Sequence, residues 1–134
     1  MKTLFFSLLI ALQIGSGSQI KEALKGSLSS KIDVTTEFTD NAFAVDEVAK
    51  NKELFDWMNG GTFTFSKEGT FTYKKKGQKT ETGRFSADET RVKLIFDAEN
   101  LPELNAYNPQ VNGHTVILSF GIGMTKVNLH LQRR

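Results

Sequence analysis

The chain has 134 residues, and its 17 lysines and arginines nearly balance its 15 aspartates and glutamates, so the formal net charge is +2 at pH 7. A nearly neutral chain has little long-range attraction for nucleic acid, and we expect no nucleic-acid partner. The absence of cysteine excludes disulfides, thiolate metal ligands, a cysteine nucleophile and the lipidated cysteine of a bacterial lipoprotein. This length supports one domain with a single hydrophobic core.

The first residues have the pattern of a secretory signal peptide. One lysine precedes an apolar run from Leu4 to Ile14, and Ser16 and Ser18 supply the small residues for cleavage before Gln19. The run is shorter than the roughly 20 residues that a spanning helix needs, so we expect no stable membrane span. A buried first element of a cytosolic protein is the alternative, but the run shows no amphipathic pattern.

The sequence therefore divides into a signal peptide at residues 1–18 and a domain at residues 19–134. We expect this domain to be secreted or periplasmic. An exported domain of this size without disulfides is more typical of a bacterial envelope than of animal plasma, where small domains often carry them.

A first strand is predicted at residues 28–38, after a short segment from Ile20 to Lys25. Apolar and polar residues alternate loosely along it, as expected of a strand with one buried face. Its apolar positions are Leu28, Ile32, Val34 and Phe38.

Residues 40–59 change in character, because alanine, valine, glutamate, lysine and leucine replace threonine. This composition predicts a helix or two short turns, with Asp40 or Asp46 as the N-cap and Asn59, before two glycines, as the stop. The stripe near helical spacing consists of Val45, Val48, Phe55 and Met58. The opposite face is also apolar, so either the helix is buried on two sides or its first aromatic residue belongs to a strand. The residues of that face are Phe43, Leu54 and Trp57.

The stretch from Gly60 to Tyr73 has the clearest strand pattern in the chain. Aromatic residues alternate with threonines on both sides of a break at Ser66–Gly69, which is typical of a β-hairpin with one apolar face. Gly69 is expected to take a positive φ in the turn. The aromatic side chains of the shared face are Phe63, Phe65, Phe71 and Tyr73.

Further strands are predicted at Lys79–Phe85 and Arg91–Phe96, so that four strands follow one another as a meander. Residues 97–106 are predicted to be an irregular loop that packs over one barrel end or forms a lid. Residues 107–111 are expected to pair briefly at an edge, because their proline lacks an amide hydrogen. Asn112–Gly113 is a strong turn signal.

Two final strands carry alternating apolar residues and are joined at Gly121–Gly123. Their shared faces contain Val116, Leu118, Phe120, Val127, Leu129 and Leu131. About eight strands result, a number that closes into an up-and-down barrel without exposed edges. The predicted fold class is therefore mainly β: an antiparallel up-and-down meander forming an eight-stranded barrel, with one short helical insertion.

Several segments, taken in order, resemble the small bacterial lipocalin-like domains, whose pattern is a G-x-W opening, a TFxxDGTF hairpin, a G-x-W/F closing strand and a final LxL pair. The matching segments are Leu24–Leu28, Phe63–Phe71, Gly83–Ser86, Val92–Leu94, Tyr107 and Val116–Leu118. Leu28 stands where the opening tryptophan belongs, and Trp57 lies in an insertion at residues 40–59, so it is not assigned that tryptophan's role. The resemblance implies a calyx-like, lipocalin-like barrel that holds a small apolar molecule.

An eight-stranded barrel is wide enough either to be filled by its own side chains or to hold one small ligand. The 11 phenylalanines favour filling, because large inward rings consume volume. A cavity lined by the same residues stays open as the alternative. The candidate ligand-binding residues of the inward face are Phe63, Phe65, Phe71, Tyr73, Phe85, Leu94 and Leu118.

The sequence contains no catalytic signature. His114 lies in a predicted turn and His130 lies on the polar face of the last strand, and neither has a partner at metal-ligand spacing. We therefore expect no enzyme activity, no catalytic or metal-binding residues and no cofactor. The basic cluster Lys74–Lys79 falls at a predicted hairpin tip, where it is either a solvated turn or a docking site for an anionic surface.

The expected function is non-covalent binding of a small apolar or amphipathic ligand at the open barrel end of an exported lipocalin-like domain. The alternative is a protein-interaction module of the bacterial envelope with a side-chain-filled barrel and no ligand. Trp57 and Met58 are candidate contact residues for such a partner, because aromatic and methionine side chains are enriched at interfaces, although core packing is the more ordinary role of both.

Overall fold

The structure, a computed structural model, describes residues 19–134, and the predicted signal peptide lies outside the described residues. Nine strands follow one another along this part of the chain. They are Gly26–Thr35 (β1), Thr62–Phe65 (β2), Thr70–Lys74 (β3), Glu81–Ala87 (β4), Arg91–Phe96 (β5), Leu104–Tyr107 (β6), Gln110–Asn112 (β7), Thr115–Ile122 (β8) and Thr125–Arg133 (β9). The helical elements are α1 (Ala42–Phe55), a 3-10 turn at Asp56–Met58, and a helical turn at residues 19–24. Residues 19–25 are called the N-terminal segment below.

Eight of the strands close into a barrel. Each strand from β2 to β6 pairs antiparallel with the strand before it, and β1 also pairs with β9. β8 continues the sheet from β9, and the pairing of Ala106 with Phe120 joins β6 to β8 and closes the barrel. β7 pairs with β8 and lies outside the barrel. The predicted fold class, a mainly β antiparallel barrel with one helical insertion, is confirmed.

Aromatic rings occupy the barrel interior, because alternate residues of a strand face the same side. The four aromatic residues of the β2–β3 hairpin are at most 3% exposed, and their neighbouring ring centroids lie 4.6–5.9 Å apart. On β4, a Cβ at Gly83 would meet the ring of Phe71, so this glycine provides the space that the ring fills. The interior near β2, β3 and β4 is thus packed with side chains.

Each end of the barrel is covered by a different part of the chain. The helix end, where β1 finishes and β9 begins, is covered by residues 36–61, whose Phe55 and Met58 join the barrel core. The N-terminal end, where β1 begins and β9 finishes, is covered by the N-terminal segment through Ile20 and Leu24. Among the helices of residues 19–134, none combines the length and apolar character that crossing a bilayer requires.

The helical insertion differs from the sequence prediction in its cap and its faces. Asn41, rather than Asp40 or Asp46, caps α1, because its Oδ1 accepts the N–H groups of Phe43 at 2.9 Å and Ala44 at 3.2 Å. Phe43 is helical and 79% exposed. Both predictions for the second apolar face were therefore wrong: the helix is not buried on two sides, and Phe43 does not belong to a strand. The helix buries one narrow face against the barrel, and that face contains Ala44, Asn51 and Phe55. Leu54 and Val45 are exposed as a result.

Two strand boundaries also differ from the prediction. Residues 104–106, predicted as the end of a loop, form the barrel strand β6 together with Tyr107, and Leu104 and Ala106 are buried inside. Two inward residues are too few to show an alternating pattern in the sequence. Phe38, predicted as the last inward residue of the first strand, lies beyond β1 and is 53% exposed.

Candidate functional site

A cleft opens at the N-terminal end of the barrel, between the N-terminal segment, the β2–β3 turn and β4. Its volume is about 430 Å³, within the range of about 300–1,000 Å³ that small-molecule sites occupy. We call it the end cleft. It combines an apolar floor with a charged rim, and the two are built by different elements.

The floor of the end cleft continues the barrel core. Phe65 is the last residue of β2, and Phe85 and Ala87 project inward from β4 on the same face as Gly83. The rings of Phe65 and Phe85 meet edge to face, with centroids 4.9 Å apart and planes at 76°. Phe65 and Ala87 are buried, whereas Phe85 is half-buried and offers its ring to the cleft.

The N-terminal segment forms one wall and is attached in two ways. Ile20 is 6% exposed and Leu24 is 0% exposed, so both side chains belong to the core. At the other side, Nη2 of Arg133 donates to the carbonyl oxygens of Glu22, Ala23 and Lys25 at 2.6, 3.5 and 3.4 Å. These carbonyls lie at the end of a helical turn, where a cation satisfies otherwise unpaired acceptors and opposes the negative end of the helix dipole.

The rim of the end cleft is predominantly positive. Lys21 and Lys25 come from the N-terminal segment and Lys67 comes from the β2–β3 turn, against a single carboxylate, Glu22. Lys25 Nζ lies 3.7 Å from Glu22 Oε2, but both side chains are more than half exposed, so this pair contributes little to stability. The rim therefore carries an excess of cations beside an aromatic floor.

The seven residues predicted to bind a ligand all face the interior, but they do not all reach the end cleft. Phe65 and Phe85 line it. The others are buried deeper in the barrel: Phe63, Phe71, Tyr73, Leu94 and Leu118. Sequence reasoning missed the rim lysines. Lys21 and Lys25 are close in the chain, but the sequence carries no signal that Lys67 lies beside them.

At the helix end, buried polar groups are paired with the main chain of the insertion. Ser30 Oγ donates to the Met58 carbonyl at 2.6 Å and accepts the Gly61 N–H at 3.1 Å. Tyr73 Oη donates to the Trp57 carbonyl at 2.7 Å, and burial raises the pKa of this phenol. These bonds tie the 3-10 turn to β1 and β3.

Trp57 and Met58 pack as core residues at the helix end. Met58 is 0% exposed, and Trp57 contacts the rings of Tyr73 and Phe96 edge-on at centroid distances of 5.5 and 5.4 Å. Neither side chain is presented as a free anchor for a partner. The exposed apolar residues of this end are Phe38, which precedes the insertion, and Phe43, Val45 and Leu54 on α1.

Neither the histidines nor the basic cluster lines the end cleft. His130 faces outward on β9, with Nε2 3.4 Å from Asp33 Oδ2, and His114 lies in the β7–β8 turn. Within residues 19–134, no group of three or more histidine, aspartate or glutamate side chains is arranged to hold a metal ion. The Lys74–Lys79 cluster forms the β3–β4 turn, as predicted, and Lys75 Nζ donates to the Asp56 carbonyl at 3.4 Å.

No family model matches the chain. No curated protein matches it either. Among solved structures, the crystal structure of a DUF4847 family protein from Bacteroides vulgatus is similar at 20% sequence identity, with a TM-score of 0.48. The alignment covers 79% of this chain and 92% of that one.

Proposed function

We propose that this chain is an exported, lipocalin-like and non-catalytic binding protein that holds a small apolar or amphipathic molecule in the end cleft. The observation that carries the proposal is the cleft itself, about 430 Å³ with the rings of Phe65 and Phe85 at its floor. An apolar concavity of this size with a few polar groups around it is the usual form of a small-molecule site.

The packed interior supports a ligand at the barrel end rather than deep inside. Phe63, Phe71 and Tyr73 are at most 1% exposed and the ring of Phe63 contacts the other two, so the volume behind the floor is already occupied. A molecule that entered further would have to displace rings from a close-packed core. The deeper predicted residues would then support the floor without touching the ligand.

Export and the lack of catalysis are parts of the same proposal. Export is supported by the signal-peptide pattern before Gln19, which would leave a mature chain beginning at the N-terminal segment. A binding role is supported by the chemistry of the cleft lining, where lysines, one glutamate and aromatic rings surround the concavity and no histidine or second carboxylate accompanies them.

Native mass spectrometry of the protein secreted by its own host tests the proposal. We expect the mass of a chain that begins at Gln19, together with a small adduct that is released on activation. A fluorescent fatty-acid probe should bind, and Phe85→Ala should weaken that binding about tenfold, because a contact ring is lost. Phe43→Ala, an exposed ring on α1, is the matched control and should change nothing. A bare mass without probe binding would contradict the proposal.

A second candidate is a protein-interaction module of the bacterial envelope. The helical insertion favours it, because three large apolar side chains on α1 are 49–79% exposed: Phe43, Val45 and Leu54. The same native spectra distinguish the two candidates. A complex with a protein of the host that is lost with Phe43→Ser but kept with Phe85→Ala would favour the interaction module.

A further inference from the structure

The positive rim and the apolar floor of the end cleft lie next to each other. Lys21 belongs to the helical turn of the N-terminal segment and Lys25 directly follows that turn, and both lysines line the cleft. Lys67 reaches the same concavity from the β2–β3 turn. Within residues 19–134, neither Lys21 nor Lys67 forms an ion pair, so both charges are available to a ligand.

Arg133 reduces the electrostatic repulsion that backbone carbonyls would exert on an anion in the end cleft. The last carbonyls of a helical turn carry partial negative charge and would repel an anionic ligand nearby. Here the carbonyls of Glu22, Ala23 and Lys25 are engaged by the guanidinium of Arg133 from the side of β9. The remaining negative group at the rim is the Glu22 carboxylate, and Lys25 lies 3.7 Å from it.

We infer that the ligand of the end cleft is an anionic amphiphile. Its carboxylate or phosphate group is held by Lys21, Lys25 and Lys67, and its apolar body lies on Phe65 and Phe85. The inference rests on the proposed binding function and narrows it to one chemical class. The lysines of the rim would bind the anionic head group, and the aromatic floor would contact the apolar tail.

The size of the cleft limits the length of the tail. A volume of about 430 Å³ is near the lower end of the range of about 300–1,000 Å³ for small-molecule sites. A medium-length alkyl chain therefore matches the cleft better than a complete long-chain lipid. Decanoate, decyl phosphate and decanol are suitable probes, because the first two carry the charge and the third has the same tail without it.

Isothermal titration calorimetry of the purified protein with these probes tests the inference. Decanoate and decyl phosphate should bind more tightly than decanol, and added salt should weaken only the two anions. Lys67→Gln should weaken decanoate binding about two- to fivefold, the worth of one exposed ion pair, and leave decanol binding unchanged.

Glu22→Gln should strengthen decanoate binding, because it removes the one carboxylate of the rim. Lys76→Gln, in the β3–β4 turn at the helix end, is the matched control and should have no effect.

The outcomes separate this inference from the proposed function. Equal affinities for decanoate and decanol, with no effect of Lys67→Gln, would overturn the anionic class and leave ligand binding in place. Inorganic phosphate binding as tightly as decyl phosphate would show a site for a free anion and would overturn the amphiphile. No binding of any probe would overturn both the inference and the proposed function.

Discussion

The two ends of the barrel are closed by different kinds of contact. At the helix end, buried polar side chains of the barrel bind the insertion: Ser30 bonds to the main chain of Met58 and Gly61, and Asn51 Nδ2 donates to Thr125 Oγ1 at 2.6 Å. Ser30, Asn51 and Thr125 are at most 5% exposed. At the N-terminal end, two apolar side chains and the exposed Arg133 hold a segment of one and a half helical turns.

This difference indicates which end can open. Separating the insertion from the barrel would break several buried hydrogen bonds, each worth about 0.5–1.5 kcal/mol, in addition to exposing Phe55 and Met58. Separating the N-terminal segment exposes chiefly Ile20 and Leu24, at about 1.5–3 kcal/mol each. Local opening therefore requires less free energy at the N-terminal end, where the end cleft lies. Ligand sites and mobile elements are commonly drawn from such regions of low local stability.

The largest expected effect lies between the two ends, in the barrel wall. Phe71→Ala should lower the free energy of unfolding by about 3–5 kcal/mol, because it leaves a cavity among packed rings. Phe43→Ala changes a ring that is 79% exposed and should stay within about 0.5 kcal/mol of the parent. Denaturant melts measure both. A loss well under about 1 kcal/mol for Phe71→Ala would show that the aromatic face of the hairpin is not the core.

The next effect tests the polar closure of the helix end. Ser30→Ala should cost about 1–3 kcal/mol, because the Met58 carbonyl and the Gly61 N–H lose their shared partner in a buried place. Ser27→Ala on the same strand removes an exposed hydroxyl and should change stability by less than about 0.5 kcal/mol. If denaturant melts gave equal losses of unfolding free energy for Ser30→Ala and Ser27→Ala, the buried hydrogen bonds of Ser30 would not stabilise the helix end.

Much of this fold could be predicted from the sequence, because strict alternation leaves few choices. Phe63, Phe65, Phe71 and Tyr73 face inward as expected, and the turn between their strands contains Gly69 at φ +86. The short strand β6 could not be predicted, because its pairing with β5 and β8 is decided by barrel closure and not by a local pattern. The exposed Phe43 was also missed, since only packing decides which face of α1 meets the barrel.

The end cleft was predictable only in part. Inward aromatic residues at a strand end, such as Phe65 and Phe85, are visible from periodicity. The charged rim cannot be predicted in this way, because Lys21 and Lys67 are far apart in the chain. The pairing of β1 with β2 brings them to the same cleft. Arg133 was missed for the same reason, because its partners lie at the opposite end of the described chain.

A smaller effect concerns Tyr73, whose hydroxyl belongs to the closure of the helix end. Tyr73→Phe should cost about 0.5–1.5 kcal/mol at neutral pH through the lost bond to the Trp57 carbonyl. Burial raises the pKa of this phenol above its ordinary value of 10.0 in the folded state. The stability that the neutral phenol contributes is therefore fully present below about pH 10 and is lost as the pH rises through the folded-state pKa.

The pH dependence of the Tyr73 effect can be isolated by comparing variants. The chain has two tyrosines, so Tyr107→Phe leaves Tyr73 as the only phenol to be followed by tyrosinate absorbance. In that background, Tyr73→Phe should lose less stability than its parent as the pH rises through the alkaline range. Parallel losses for both proteins would show that the folded and unfolded states ionise Tyr73 alike.

Substitution of Arg133 is expected to have the smallest effect on global stability. It nevertheless tests the difference between the two barrel ends most directly. Arg133→Gln should cost no more than about 1 kcal/mol in denaturant melts, because its contacts are on the surface. Amide hydrogen exchange in residues 19–25 should nevertheless become faster, while exchange in residues 42–58 stays unchanged, because only the N-terminal segment loses a contact. Lys126→Gln, near the helix end of β9, is the matched control and should alter neither region. Faster exchange at both ends would mean that the two closures open together, and the N-terminal segment would then not open independently.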